Sequence, residues 1–180
     1  MIGGPPWMQV ARSYIGCAEI KGPRHESRIL AMWDDIKCGW FKDDETPWCA
    51  AFVGSCLERA GFRSTRSAAA RSYEKWGQPL MTLAGDMAPQ PLSAGGMSRV
   101  PYGAVVVLSR PGAPGSGHVG FYCGPSGSGF ALLGGNQNDA VRVSSYLWSR
   151  IVAVRWPENG PAPAYEYPPL GSLVASTSDA

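Results

Sequence analysis

No Cys-x-x-C pair occurs among the five cysteines (Cys17, Cys38, Cys49, Cys56, Cys123). That absence removes the usual spacing of a structural zinc site or a thioredoxin-like redox motif. Five is also an odd number, so at least one thiol stands outside any intramolecular disulfide, and reduced thiols are the simplest expectation. No apolar run reaches the length that spans a bilayer, which argues against stable membrane insertion. The first residues, Met1-Ile2-Gly3-Gly4-Pro5-Pro6-Trp7, lack the basic start and apolar core of a secretory signal. The expectation is therefore synthesis in the cytoplasm without a Sec signal. No internal repeat is visible, so a solenoid is excluded. Charge is sparse: 17% of residues, with a formal net charge of +2. A surplus this small gives no argument for a nucleic-acid partner, although it is compatible with an anionic polymer.

What remains is 180 residues with 44% apolar content, enough for one domain with a substantial core. Helical patterns come first. Residues 6–14 start with proline and stop at Gly16, and residues 26–36 place Ile29, Met32, Trp33 and Ile36 at helical spacing. In the third pattern Thr46 is positioned to cap, Pro47 fits the first turn and Gly61 can close the end. Cys49, Phe52, Val53, Cys56, Leu57 and Ala60 form its apolar stripe, with Ser55, Glu58 and Arg59 facing away. Gly54 within it costs about 1 kcal/mol relative to alanine, which points to close packing. A short helix is expected over 68–76, and residues 81–100, rich in Pro, Gly and Ala, read as loop.

Strand patterns follow at 103–108, 118–123, 130–133, 140–143 and 151–156. Helices first and strands second predict an α+β domain over residues 1–157, with N-terminal helices packed on a C-terminal antiparallel sheet. Residues 158–180 are Pro-, Ala- and Ser-rich without periodicity and read as a disordered tail.

Cys49 falls in the first turn of the third helix, where free amides and the helix dipole favour a thiolate. His118 is one of only two histidines and opens a strand after the loop Pro114-Gly115-Ser116-Gly117. A thiol at a helix start and an imidazole at a strand start are the parts of a Cys–His nucleophilic site. Buried cysteines are mostly small hydrophobes, and that reading suits Cys56 and Cys123. His25, set among charges before a helix, reads as exposed.

A base of this kind needs its second nitrogen held by a polar group. The stretch Gly134-Gly135-Asn136-Gln137-Asn138-Asp139 offers Asn136 first, Gln137 second and Asp139 third; the competing reading is a plain turn. Trp48 and Trp76 either line a groove for a sugar or peptide or serve as packing. Asp43-Asp44-Glu45 either assists an oxyanion, binds a cation, or forms a solvated cluster favourable beside the helix dipole.

Together DDETPWCAAFVGSCLERAG, GAVVVLSR, GHVGFYCG, LLGGNQND and VAVRWP resemble the papain-like cell-wall hydrolases of the CHAP and NlpC type. The likeness is greatest to a phage-associated, endolysin-like subgroup with the pattern TPWCAAF…GHVGF…GGNQ, and it spans residues 6–157. The resemblance implies a papain-like fold and a peptidoglycan-cleaving cysteine hydrolase, either endopeptidase or N-acetylmuramoyl-L-alanine amidase. Cys49 matches the family nucleophile and His118 the family base. CHAP members place a carboxylate and then an asparagine on the strand after the histidine; those positions here are Gly134 and Asn136. NlpC members often use a second histidine, which this chain lacks after His118.

The implied catalytic set is Cys49, His118 and Asn136, with Trp48, Trp76, Gly117 and Gln137 expected beside the substrate. No cofactor or metal is expected. The expected partner is peptidoglycan, reached as a monomer after holin-type or secretion-system release. Rival readings are a Cys–His acyltransferase or deamidase acting on a protein or small molecule, and a non-catalytic wall-binding module.

Overall fold

Proline and extended Pro5 start the first helix, α1 (Pro6–Ser13), and its apolar side buries Trp7, Met8 and Ala11. The Trp7 indole donates to the Gly103 carbonyl at 2.8 Å, tying this helix to the chain far ahead of it. The second helix, α2 (Ser27–Asp35), is capped by the Glu26 carboxylate, which accepts from the Arg28 amide at 3.0 Å. The third, α3 (Cys49–Arg59), is the central element. Every residue from Cys49 to Leu57 is buried, because α1 and α2 pack on it from one side and the sheet from the other. Gly54 has the reason its position suggests: a Cβ there would lie 2.4 Å from Ile36 Cγ2. Ser55 does not face away as its place in the pattern predicts. It is buried, and its hydroxyl donates to Asp35 Oδ2 at 2.6 Å.

The computed structural model describes residues 4–82 and 100–173. Among these, six strands form one sheet: β1 (Gln78–Thr82), β2 (Val105–Ser109), β3 (Gly117–Ser126), β4 (Gly129–Gly134), β5 (Arg142–Tyr146) and β6 (Ile151–Trp156). Their order is β1-β6-β2-β3-β4-β5, and every adjacent pair is antiparallel. The domain is α+β. Strands β2, β3 and β4 sit in the middle and are almost wholly buried, as their continuous apolar runs require. Phe52 of α3 meets Phe121 of β3 edge-on, with ring centroids 6.0 Å apart.

Three expectations change. The 81–100 stretch is not loop from its start: β1 includes Met81 and Thr82 and pairs with β6, while 83–99 lie outside the described residues. Pro79 is tolerated because β1 is an edge strand. Strand β5 lies two residues later than expected, and Ala140 instead bridges Ala18.

The disordered-tail reading of 158–180 is corrected over 158–173. There the Ala164 carbonyl accepts from the Tyr102 amide at 2.9 Å, Tyr167 donates to the Val100 carbonyl at 2.8 Å, and Leu173 is buried. Low complexity does not prevent ordering where a few apolar side chains find the body. Residues 174–180 lie outside the described residues.

Candidate active site

Helix α3 begins at Cys49 itself, later than Thr46 and Pro47 suggest. Trp48 occupies the cap position without a side-chain cap bond. The Asp43 carboxylate explains the shift, since it accepts from the amides of Thr46 and Glu45 at 2.6 and 3.1 Å and turns the chain before the helix starts. Asp44 is fully buried, contrary to a solvated acidic cluster. It accepts from the amides of Ile20 and Glu26 at 2.9 and 2.8 Å and meets His25 Nδ1 at 2.9 Å. His25 is thereby bound to the loop before Cys49 and is only partly exposed.

The first intrahelical bond of α3 runs from Phe52 N to Trp48 O. The amides of Cys49, Ala50 and Ala51 are therefore the orphan donors of a helix N-terminus. Cys49 lines a cavity of about 240 Å³ together with Pro47, Arg71, Arg110, Gly117, His118 and Asn136. Cys49 and His118 are each 6% exposed, so both are nearly buried yet open to one shared space. No hydrogen bond joins the thiol to the ring; what the two groups share is the cavity.

Burial pushes the Cys49 thiol up, while the amides of Val119 and Ala50, the Arg110 charge and its own amide favour the thiolate. Burial moves other thiols in the same direction. Burial raises Cys17 to about 11, Cys123 to about 12 and Cys56 well above its ordinary value. None of these three lines the cavity of Cys49.

His118 opens the buried part of β3, opposite Leu108 of β2. Its Nε2 lies 3.1 Å from Gln137 Oε1. The orientation of that amide is determined by its other contacts. Gln137 Nε2 donates to the carbonyls of Leu132 and Arg142, so Oε1 must face the ring. Oε1 also accepts from the Tyr146 hydroxyl at 2.8 Å. An acceptor opposite Nε2 means that Nε2 carries the hydrogen and Nδ1 the free lone pair.

Burial lowers His118 to about 4, and the Arg110 and Arg150 charges push the same way, against the opposing Gln137 bond. The resting pair is therefore neutral thiol and neutral imidazole at neutral pH.

Asn136, first choice for the group holding His118, is not on the ring. Its backbone is left-handed, with φ 54°, and it turns the chain so that Gln137 points inward. Asp139 is exposed, with φ 60°, and also serves the turn. The two glycines before them are required by contact. A Cβ on Gly134 would lie 3.1 Å from His118 Nε2 and from the Gln137 amide, so a side chain there would press on that contact. A Cβ on Gly135 would lie 2.5 Å from the Trp48 ring and 2.6 Å from Phe52 Cβ.

Trp48 is corrected from substrate contact to packing. It is fully buried, and its indole donates to Glu19 Oε1 at 2.8 Å. Trp76 stands apart from Cys49 and lines a separate cavity of about 570 Å³ with Arg63, Ser64 and Glu158. Gly117 does line the cavity of Cys49. Gln137 lines a neighbouring one of about 450 Å³. Sequence reasoning missed Arg110 and Tyr146. Arg110 follows β2 directly, and the β2–β3 pairing that puts Ser109 opposite Gly117 would have placed it beside the histidine.

Among the described residues no group of three His, Cys, Asp or Glu side chains is arranged to hold a metal, and no helix is long and apolar enough to cross a membrane. No family model matches this chain, and no curated protein matches it.

Two expectations follow from this geometry. On the reading of Cys49 and His118 as a nucleophile–base pair, Gln137→Ala is expected to lower kcat by about 10²-fold, since it frees the ring that Gln137 holds. Steady-state kinetics on a soluble fragment, with the melting temperature as control, check this.

The second concerns stability. The unfolded imidazole takes a proton near 6.5, whereas the folded one resists until about 4. Between these values the unfolded chain binds more protons, so stability falls as pH drops, by at most about 1.4 kcal/mol per unit. Urea unfolding at pH 7 and pH 5 should show the loss in the wild type and a smaller one in His118→Phe.

Proposed function

We propose that this chain is a cysteine hydrolase of papain-like architecture that cleaves an amide bond in peptidoglycan, with Cys49 as nucleophile and His118 as base. The observation that carries the chemistry is the shared cavity: a thiol on the first residue of a buried helix opens onto the same space as an imidazole whose far nitrogen is pinned by Gln137. The substrate class rests on the resemblance of the motifs around those two residues.

In this reading Nδ1 of His118 takes the thiol proton as Sγ attacks the amide carbonyl. The developing oxyanion accepts from the free amides at the start of α3, whose positive end also favours it. The imidazolium Nε2–H stays on Gln137, and Nδ1–H protonates the leaving amine. Water, activated by the same ring, then attacks the thioester and releases the acid and the free thiol. Gln137 acts as a positioning residue: it holds the tautomer in which Nδ1 faces the reaction.

Purified sacculi treated with the protein are expected to release new primary amines. Mass spectrometry then assigns the bond. A new N-terminal alanine with free lactyl muramic acid marks an amidase; new termini deeper in the stem mark an endopeptidase. No amine release from any sacculus would overturn the substrate class.

A further inference from the structure

His118 stands between two cavities. The one holding Cys49 and the neighbouring one of about 450 Å³ share Arg110, His118 and Asn136. The second adds Gln137, Ser144, Tyr146 and Arg150. Neither lining contains an aspartate or glutamate. Three arginines border the pair of cavities. Arg71 is answered by Glu74 three residues on, whereas Arg110 makes no ion pair or side-chain hydrogen bond among the described residues.

Arg150 is held in place from two sides. Its Nε and Nη2 donate to the Ser109 carbonyl at 3.1 and 2.6 Å, and its guanidinium lies 5.2 Å from the centre of the Tyr146 ring. Its positive charge is therefore fixed but not neutralised. Two guanidinium groups flank a nearly buried imidazole with no anion to balance them.

We propose that the cavity between Arg110 and Arg150 binds a carboxylate of the substrate, one carried by the peptide close to the bond that Cys49 attacks. This rests on the reading of Cys49 and His118 as an amide-cleaving pair and adds what that pair selects. The Arg110 guanidinium matches a carboxylate in shape and in donor number, Arg150 adds its fixed charge, and the shared Arg110, His118 and Asn136 join this cavity to the one lined by Cys49.

The arrangement also links selection to chemistry. The charges of Arg110 and Arg150 both oppose protonation of His118. A bound carboxylate cancels part of that opposition, so the imidazolium needed to release the leaving amine forms more readily with the right substrate in place. An uncharged isostere occupies the same space without that help.

The first test uses the intact protein and needs no natural substrate. Native protein is alkylated with iodoacetate or iodoacetamide at equal concentration and low salt, and labelling of Cys49 is read by mass spectrometry. The reference is the iodoacetate-to-iodoacetamide ratio at Cys49 in the same protein unfolded in urea. The native ratio is expected to exceed that reference by about 3- to 10-fold, as one nearby charge dictates, and to decline as salt is added. Arg110→Met should bring it back to the reference with an unchanged melting temperature, and Arg110→Lys should retain part of the preference.

A native ratio at or below the reference, or one unaffected in Arg110→Met, overturns the anion cavity while leaving the nucleophile standing. Absence of labelling by both reagents overturns the nucleophile and this proposal together. With soluble muropeptides, converting the stem carboxyls to carboxamides should raise the wild-type KM about 10-fold and leave that of Arg110→Met unchanged. Equal KM values for both substrates in the wild type overturn the proposal even if cleavage occurs.

Discussion

Replacing Cys49 by alanine is expected to reduce amine release from sacculi by at least about 10³-fold. The fold should survive. Alanine keeps the helix start, and the lost sulfur borders a cavity instead of sitting in the packed centre of the core. A change in stability of about 1 kcal/mol or less is expected, small beside the activity loss. The control is Cys56→Ala: that thiol is fully buried on the same helix, so its variant should lose stability without losing specific activity. Circular dichroism melting alongside the lysis assay separates the two. Full activity in Cys49→Ala would remove the nucleophile from the scheme.

The largest loss of stability is expected from Asp44→Ala. The carboxylate is completely buried and serves three donors: two backbone amides and the His25 ring. The amides and His25 hold it below the usual carboxylate range in spite of burial, which alone would raise it. Truncation leaves two buried amides unanswered and cuts His25 from its partner, at a cost of about 3–5 kcal/mol. For a domain of this size that lowers the melting temperature by about 10 °C. Asp44→Asn keeps one acceptor oxygen and should recover part of the loss. If Asp44→Ala melts within a degree or two of the wild type, the carboxylate does not anchor the loop before Cys49.

The legible parts of this molecule are those written in local pattern. Pro6, Gly61 and the 3.6-residue spacing mark the helices, and the apolar runs at 105–108 and 118–123 mark the inner strands. Cys49 and His118 were readable as a pair because each sits at the start of such an element. The identity of the residue on His118 was not readable. Asn136 and Gln137 are adjacent, and only the left-handed backbone at Asn136 decides which of them turns toward the ring.

Trp48 looks like a groove residue in sequence because it neighbours Cys49. Its burial follows from Gly135, which lets the ring press against a backbone far along the chain. Strand β1 was hidden for a similar reason: its proline masks it, and its partner β6 lies near the other end of the described chain. Spacing within one segment carries no record of such distant contacts.

Cys49 belongs to the helical half of the chain, and His118 with its supporting amide belongs to the sheet half. A ribosome therefore releases the thiol well before it releases the imidazole. Until the later strands emerge and close on the helix, the nascent polypeptide cannot bring Cys49 and His118 to one cavity, so the order of synthesis alone keeps the two groups apart.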